Sequence, residues 1–389
     1  MHIVIAPDSF KGTLSSEQII EIVSSEAHRH FPEAKITGIP IADGGEGTVH
    51  AILASRGGRT RHIAVTNPLF EQTDAAYGIM ENTDGSLSAI IEMAAASGLT
   101  LLPAAQRNAL KTTSYGTGEL IADALRQGIR DITVAVGGSA TNDGGAGAMA
   151  ALGFRFLDEN GRDVTPTGEN LIHISHIDTS GRLPELTGNI SFTVMCDVRS
   201  PFTGPDGATY TYAPQKGATD DALLLLEEGM LHFAEVIKRD LGKDIKDVSG
   251  SGAAGGLGGA LCAFLDAKLQ SGIKTMLKLV RFESLLEHAD IVITGEGCAD
   301  GQSAQGKVLW GIGTSAKEKG IPVIAIAGGM RPDAKLLYDC GITAIVPALN
   351  RVMPLTEVFR HSQNLLRDAA ERTFLLLQTG MALQKGICR

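Results

Sequence analysis

No stretch of this 389-residue chain approaches the ~20 consecutive apolar residues that a membrane-spanning helix needs. The start, Met1-His2-Ile3-Val4-Ile5-Ala6-Pro7-Asp8, meets a carboxylate after a short apolar run, which predicts neither a signal peptide nor a transit peptide. Positive charge is also scarce. The 34 lysines and arginines are outnumbered by 44 aspartates and glutamates, for a formal charge of −10, and they are scattered rather than blocked. That pattern argues against a nucleic-acid binder, which needs a basic stripe to displace counterions, and against a polybasic membrane anchor. The five cysteines (Cys196, Cys262, Cys298, Cys340, Cys388) are odd in number, widely spaced and without a Cys-x-x-Cys pair. A reduced, cytoplasmic setting is therefore expected. Gly-x-Ser-x-Gly is missing, Cys196 has no histidine close in sequence, and His173 and His176 read as surface or loop residues.

What the chain has in excess is glycine, with 47 residues, about 12% against a usual ~7%. The glycines cluster in apolar sequence, which means tight turns or close approach of backbone to a ligand. Around them, short β-branched and aliphatic runs read as buried parallel strands: His2 to Ala6, Ile36 to Ile41, Asp131 to Val136, Ile190 to Cys196, Asp290 to Ile293, Pro322 to Ala327 and Ile342 to Val346. Helical patterns alternate with them, the first behind a capping box at Ser15 and Gln18, the last over Thr356 to Leu383. From Asn67 to about Leu186 the rhythm changes to hairpin-like alternation, with Asp74 to Met80 turning into Ser86 to Met93. The pattern predicts an α/β protein of two domains. One is discontinuous, with a mostly parallel sheet, from residues 1–66 and 285–389; the other is an inserted mixed-sheet domain from 67–284.

Five acids follow strands, and three of them, Asp43, Asp143 and Glu296, stand among glycines; the other two are Asp8 and Asp197. Any one alone reads equally as a helix cap or turn former. Together, at the carboxyl ends of strands where open α/β sheets bind ligands, they predict one acidic crevice that needs cations, and Mg²⁺ carried by a nucleotide would supply them. Phosphate donors are expected from two glycine-rich stretches, one with Gly137, Gly138, Ser139 and Asn142, the other with Gly252, Gly255 and Gly256. Lysines stand beside glycine at Lys11, Lys216 and Lys307. Gly301 to Lys307 has most of the P-loop spacing, but Val308 stands where Ser or Thr would meet Mg²⁺. Gly250-x-Gly252-x-x-Gly255 matches a dinucleotide fingerprint but follows a polar segment rather than a strand.

These residues lie in longer motifs. Ala6-Pro7-Asp8-Ser9-Phe10-Lys11-Gly12, Ala42-Asp43-Gly44-Gly45-Glu46-Gly47-Thr48, Thr113-Ser114-Tyr115-Gly116-Thr117-Gly118-Glu119, Pro214-Gln215-Lys216-Gly217-Ala218 and Ile293-Thr294-Gly295-Glu296-Gly297 occur in one order over nearly the whole chain. In this the sequence resembles the bacterial glycerate kinases that phosphorylate D-glycerate with ATP. The resemblance implies two α/β domains, one flavodoxin-like, with the active site in the cleft between them, and transfer of the γ-phosphoryl group to glycerate, in close relatives at the 2-hydroxyl. The chain departs from the family at Cys298, where an arginine is usual, at Gln305 and Leu309, where His and Pro are usual, and at Arg199-Ser200-Pro201.

On this reading the glycine-rich backbone and Lys307 hold the ATP phosphates, Lys11 and Lys216 neutralise charge, and Mg²⁺ sits on Asp143 or Glu296. Asp197 accepts the hydroxyl proton, Asp43 or Asp8 orients substrate hydroxyls with Ser9, and Arg199 meets the substrate carboxylate in place of the arginine missing at Cys298. A surface arginine before Pro201 is the alternative for Arg199. The rival functions are a kinase for a related hydroxy acid, a weakened hydroxy-acid or nucleotide sensor, and a dehydrogenase using Gly250 to Gly255. Expected partners are small molecules, with no nucleic acid or membrane and with homo-oligomers left open.

Overall fold

Burial on both faces selects the first strand: Ile3 to Pro7 is apolar, and the whole of His2–Pro7 is buried between two parallel neighbours. The computed structural model describes residues 1–384, so Cys388 lies outside the described residues. In chain order the strands are β1 His2–Pro7, β2 Lys35–Gly38, β3 Arg59–Thr66, β4 Gln72–Glu81, β5 Leu87–Glu92 and β6 Asp131–Ala135. There follow β7 Arg155–Leu157, β8 His176–Asp178, β9 Ser191–Met195, β10 Lys268–Gln270, β11 Ile291–Ala299, β12 Val323–Met330 and β13 Ala344–Pro347. The chain divides into two compact units. Unit 1 comprises Met1–Asp43, Ala54–Arg56 and the chain from Ile273 onward; unit 2 comprises Gly44–Leu53 and Gly57–Gly272.

Unit 1 holds a five-stranded sheet, β13-β12-β11-β1-β2, parallel throughout. Counted within this unit the order is flavodoxin-like, and it reverses direction between β1 and β11, the place where ligands enter such sheets. Helix Ser16–His30 opens with the expected capping box, in which Ser15 Oγ accepts from Gln18 N–H while the Gln18 side chain accepts from Ser15 N–H. Its buried face (Ile19, Ile22, Val23, Ala27) packs with Leu366, Ala370 and Phe374 of helix Ser362–Gln384. The helix expected over Thr356 to Leu383 is broken at His361 into Leu355–Arg360 and Ser362–Gln384.

Unit 2 holds a mixed six-stranded sheet, β10-β9-β6-β5-β4-β3, with β3, β4 and β5 antiparallel in succession and the rest parallel, plus the small β7-β8 pair. Strand Arg59–Thr66, placed by the sequence reading at the end of the first domain, pairs with β4 here. Helix Tyr115–Arg126 packs Leu120, Ile121 and Leu125 on the sheet, and helix Asp220–Leu241 contributes Met230 and Phe233 to the same core. No helix among the described residues is long and apolar enough to cross a membrane.

Candidate active site

In unit 1 the register of β11 makes the site. It pairs with β1 only as far as Pro7 opposite Gly295, then runs on beside β12 to Cys298 opposite Gly329 and Ala299 opposite Met330. Glu296, Gly297 and Cys298 therefore extend past the end of β1, and the Asp8–Lys11 loop fills the space beside them. Asp8 N–H donates to Gly295 O at 2.9 Å, and a Cβ on Gly297 would lie 3.6 Å from Phe10 Cα. The loop and strand end border a cavity of about 530 Å³. Asp8, Ser9, Lys11, Asp43, Glu296 and Lys307 all line it, so six residues expected at the site share one cavity.

The carboxylates there are poorly satisfied. Asp8 Oδ1 accepts from Ser9 N–H at 2.6 Å and Ser9 Oγ at 3.4 Å. Burial, with the charge of Asp43 adding to it, still pushes Asp8 up to about 6 against the pull of Lys11 and Ser9. Glu296 is 8% exposed, and its Oε1 is buried without a hydrogen-bond partner. Burial pushes its carboxyl up to about 7, with Asp8 and Asp300 adding and Ser303 and Lys307 opposing. Two lysines face this charge. Lys11 Nζ, on a well-exposed side chain, stands 3.9 Å from Asp43 Oδ2, and half-buried Lys307 donates to Gln302 Oε1 at 3.4 Å. The orphaned oxygen of Glu296 and the raised pKa values of Glu296 and Asp8 leave charge that the chain does not satisfy, and a magnesium ion carried by a nucleotide asks for only one or two protein carboxylates.

The Gly301–Lys307 segment gains a context that its sequence left open. It joins β11 to helix Val308–Glu318, so a strand, a turn with Gly306 at φ +94° and a helix follow in P-loop order, and Lys307 is the residue before the helix. Val308 is buried. Asp300, missed by the sequence reading, also lines the cavity and is fixed by Ser303 N–H and Gln302 N–H at 3.1 and 3.0 Å. Its signal was the Asp-Gly-x-Ser turn at 300–303, which reads as a local Asx turn.

The remaining expected residues lie in unit 2. Asp143 is fully buried and accepts from Ser114 N–H and Oγ (both 2.7 Å), Gly145 N–H (3.1 Å) and Gly147 N–H (3.2 Å). Burial raises its pKa against these bonds. With its oxygens so occupied it is a structural anchor rather than a metal ligand, and among the described residues no group of three or more His, Cys, Asp or Glu is placed to hold a metal. Lys216 is 1% exposed and donates to Thr141 O at 2.7 Å. Burial pushes it down to about 7, with Asp143 acting in the other direction.

Several of the glycines expected in a phosphate cradle are closely packed. A Cβ on Gly252 would strike Pro201 O at 2.1 Å and one on Gly255 would strike Thr141 O at 2.0 Å. The N–H groups of Gly252 and Gly256 bond to Ser200 O and Gly252 O. Gly250 to Gly255 is buried and follows no strand, which removes the dinucleotide reading. Gly137 N–H bonds to Gly44 O, and Gly138 and Ser139 are zipped to Gly98 and Leu99. Asn142 is buried, with Nδ2 3.4 Å from Thr209 Oγ1 and Oδ1 unpartnered. Asp197 is exposed and accepts from Gly272 N–H (2.7 Å) and Ser271 Oγ (3.0 Å). Arg199 is exposed.

Known proteins match nearly the whole chain. The model of the glycerate kinase family matches residues 3–378. Glycerate 2-kinase of Escherichia coli (strain K12) is 44% identical over 381 residues, 98% of this chain and 99% of that protein. Glycerate kinase of Bacillus subtilis (strain 168) is 45% identical over 370 residues, 95% and 96% of the two chains. Among solved structures, glycerate kinase 2 from Salmonella typhimurium LT2 superposes with a TM-score of 0.86 at 41% identity, covering 98% of this chain and 99% of that one.

Proposed function

Because the chain belongs to the glycerate kinase family, we propose that this kinase transfers the γ-phosphoryl group of ATP to D-glycerate, at the 2-hydroxyl, and that the unit 1 cavity carries the phosphate chain. The observation that carries the cavity assignment is Glu296, nine-tenths buried with an oxygen that nothing in the chain satisfies, beside Asp8 at the point where the strand order reverses. Phosphoryl transfer asks for positioning and charge stabilisation more than covalent help. Lys307, at the positive end of helix Val308–Glu318, and Lys11 would neutralise phosphate oxygens. Glu296 and Asp43 would hold Mg²⁺, which when bound neutralises charge on the phosphate chain. Proton acceptance, first assigned to Asp197, passes to Asp8: with a pKa of about 6 it is ionised at neutral pH yet basic enough to take a hydroxyl proton. Ser9 and Asp8 would orient the substrate hydroxyls.

The test is glycerate-dependent ADP release, with D- and L-glycerate and other small hydroxy acids as acceptors, followed by phosphorus NMR of the product. A phosphate on the secondary carbon couples to a single proton and gives a doublet; one on the terminal carbon gives a triplet. A doublet from D-glycerate supports the proposal. A triplet moves the reaction to the other hydroxyl, and no acceptor-dependent release would refute it.

A further inference from the structure

We propose that the apolar wall of the unit 1 cavity seats the nucleobase of the phosphoryl donor, stacked on Phe359 with Leu355 and Leu349 beside it. The inference rests on the kinase reading above. Chemistry divides the cavity in two. Its charged half is the strand-end group of Asp8, Glu296, Lys11 and Lys307; its other half comes from the chain after β13 and from helix Leu355–Arg360, and is built of Leu349, Leu355, Val358 and Phe359. From that segment the lining takes one polar side chain, Ser362. Such a wall offers nothing to a carboxylate or a metal ion, which excludes a small hydroxy acid as its occupant.

The same side chains are left open to water. Leu355 is 71% exposed, Phe359 54% and Leu349 38%. Apolar side chains gathered on a concave wall, rather than scattered singly, mark a binding surface. A cavity of about 530 Å³ falls in the range of roughly 300–1,000 Å³ usual for ligand pockets, and a small hydroxy acid would leave most of it empty. One ligand matches both halves: a flat base with π faces for the aromatic and aliphatic wall, joined through a ribose to phosphates that meet the lysines and a carboxylate-held cation.

Titration calorimetry of the full chain with ATP and with inorganic tripolyphosphate, both as magnesium complexes, separates base from phosphate. Phe359→Ala should raise the Kd for ATP about tenfold or more, the usual worth of one base–aromatic stack, while tripolyphosphate affinity stays within about twofold. Leu355→Ala, at a still more exposed position, should shift ATP in the same sense by less. The seat is refuted if both ligands weaken equally, or if ATP is unaffected, including the case in which Phe359→Ala alters only self-association in sedimentation. Glycerate-dependent turnover measured in parallel keeps the two readings apart. Phe359-sensitive ATP binding without turnover spares the seat and removes the function; normal turnover with Phe359-insensitive binding does the reverse; no ATP binding removes both.

Discussion

Asp143 and Glu296 look alike in sequence, each an acid set among glycines soon after a buried strand, and physically they are opposites. In unit 2, Asp143 accepts four hydrogen bonds from Ser114, Gly145 and Gly147, and its glycines pack against Phe233, Ala260 and Thr113. In unit 1, Glu296 keeps one oxygen unpartnered and its neighbours Gly297 and Cys298 are exposed beside a cavity. The lysines repeat the contrast: Lys216 is sealed in and bonded to a carbonyl, Lys11 reaches into solvent. Burying a carboxylate is costly unless donors satisfy it. Where the chain supplies the donors the acid holds the fold together; Glu296, lacking one and bordering a cavity, is open to a ligand.

Removing charge from unit 1 breaks the contrast most strongly. Asp8→Asn should lower kcat by roughly 10²-fold or more, the usual contribution of acid–base assistance, and Lys307→Met by roughly 10² to 10³, as for other preorganised charge donors. Asp197→Asn should change kcat by less than about threefold. Steady-state ADP-release kinetics on the three variants decide it: a large loss at Asp197 with little at Asp8 would return the proton to unit 2. In Asp143→Ala the damage should be structural. Four buried donors lose their acceptor, and each unsatisfied buried group costs about 1–3 kcal/mol, so urea unfolding should show a loss of about 3 kcal/mol or more. If instead Asp143→Ala kept its midpoint and lost only turnover, Asp143 would belong with the reacting groups.

Much of this was legible in the sequence. Asp8 after β1, the strand–helix alternation and the Ser15–Gln18 capping box were readable because each depends on local pattern or on burial of a β-branched run. The course of β11 was not. Gly295-Glu296-Gly297 reads as a turn, and only pairing with β12 keeps the chain extended through Ala299. Glycine misled for a related reason: its missing Cβ serves equally for contact with a phosphate or with Pro201 O and Thr141 O, and sequence does not say which. Arg59–Thr66, polar and half-exposed, carries no burial signal, and its place in the six-stranded sheet comes from pairing with β4. The apolar cavity wall was hidden inside what read as one helix, broken in the structure at His361.

The finest test of the contrast is the pH dependence of stability without ligand, because Glu296 and Lys216 should respond in opposite directions. Glu296 rises from 4.5 to about 7 on folding. Between those values the native chain holds the proton that the unfolded chain has lost, so its contribution is full below pH 4.5 and is lost as pH rises through 7. Lys216 falls from 10.5 to about 7. Here the unfolded chain holds the extra proton, so its contribution is full above pH 10.5 and is lost as pH falls through 7. Glu296 therefore contributes to an acid arm, to which Asp8 and Asp143 add in the same sense, and Lys216 contributes an alkaline arm, the two groups together giving least stability near neutrality. Glu296→Gln should make the acid arm shallower, raising the urea midpoint at pH 8 relative to wild type while leaving pH 4.5 nearly unchanged. Lys216→Met should flatten the alkaline arm between pH 7 and 10 and leave the acid arm intact. Wild-type slopes in both variants would mean that neither burial sets the titration. Loss of kcat beyond about tenfold in Lys216→Met, at unchanged stability, would give that lysine a part in phosphoryl transfer and remove it from the structural side of the comparison.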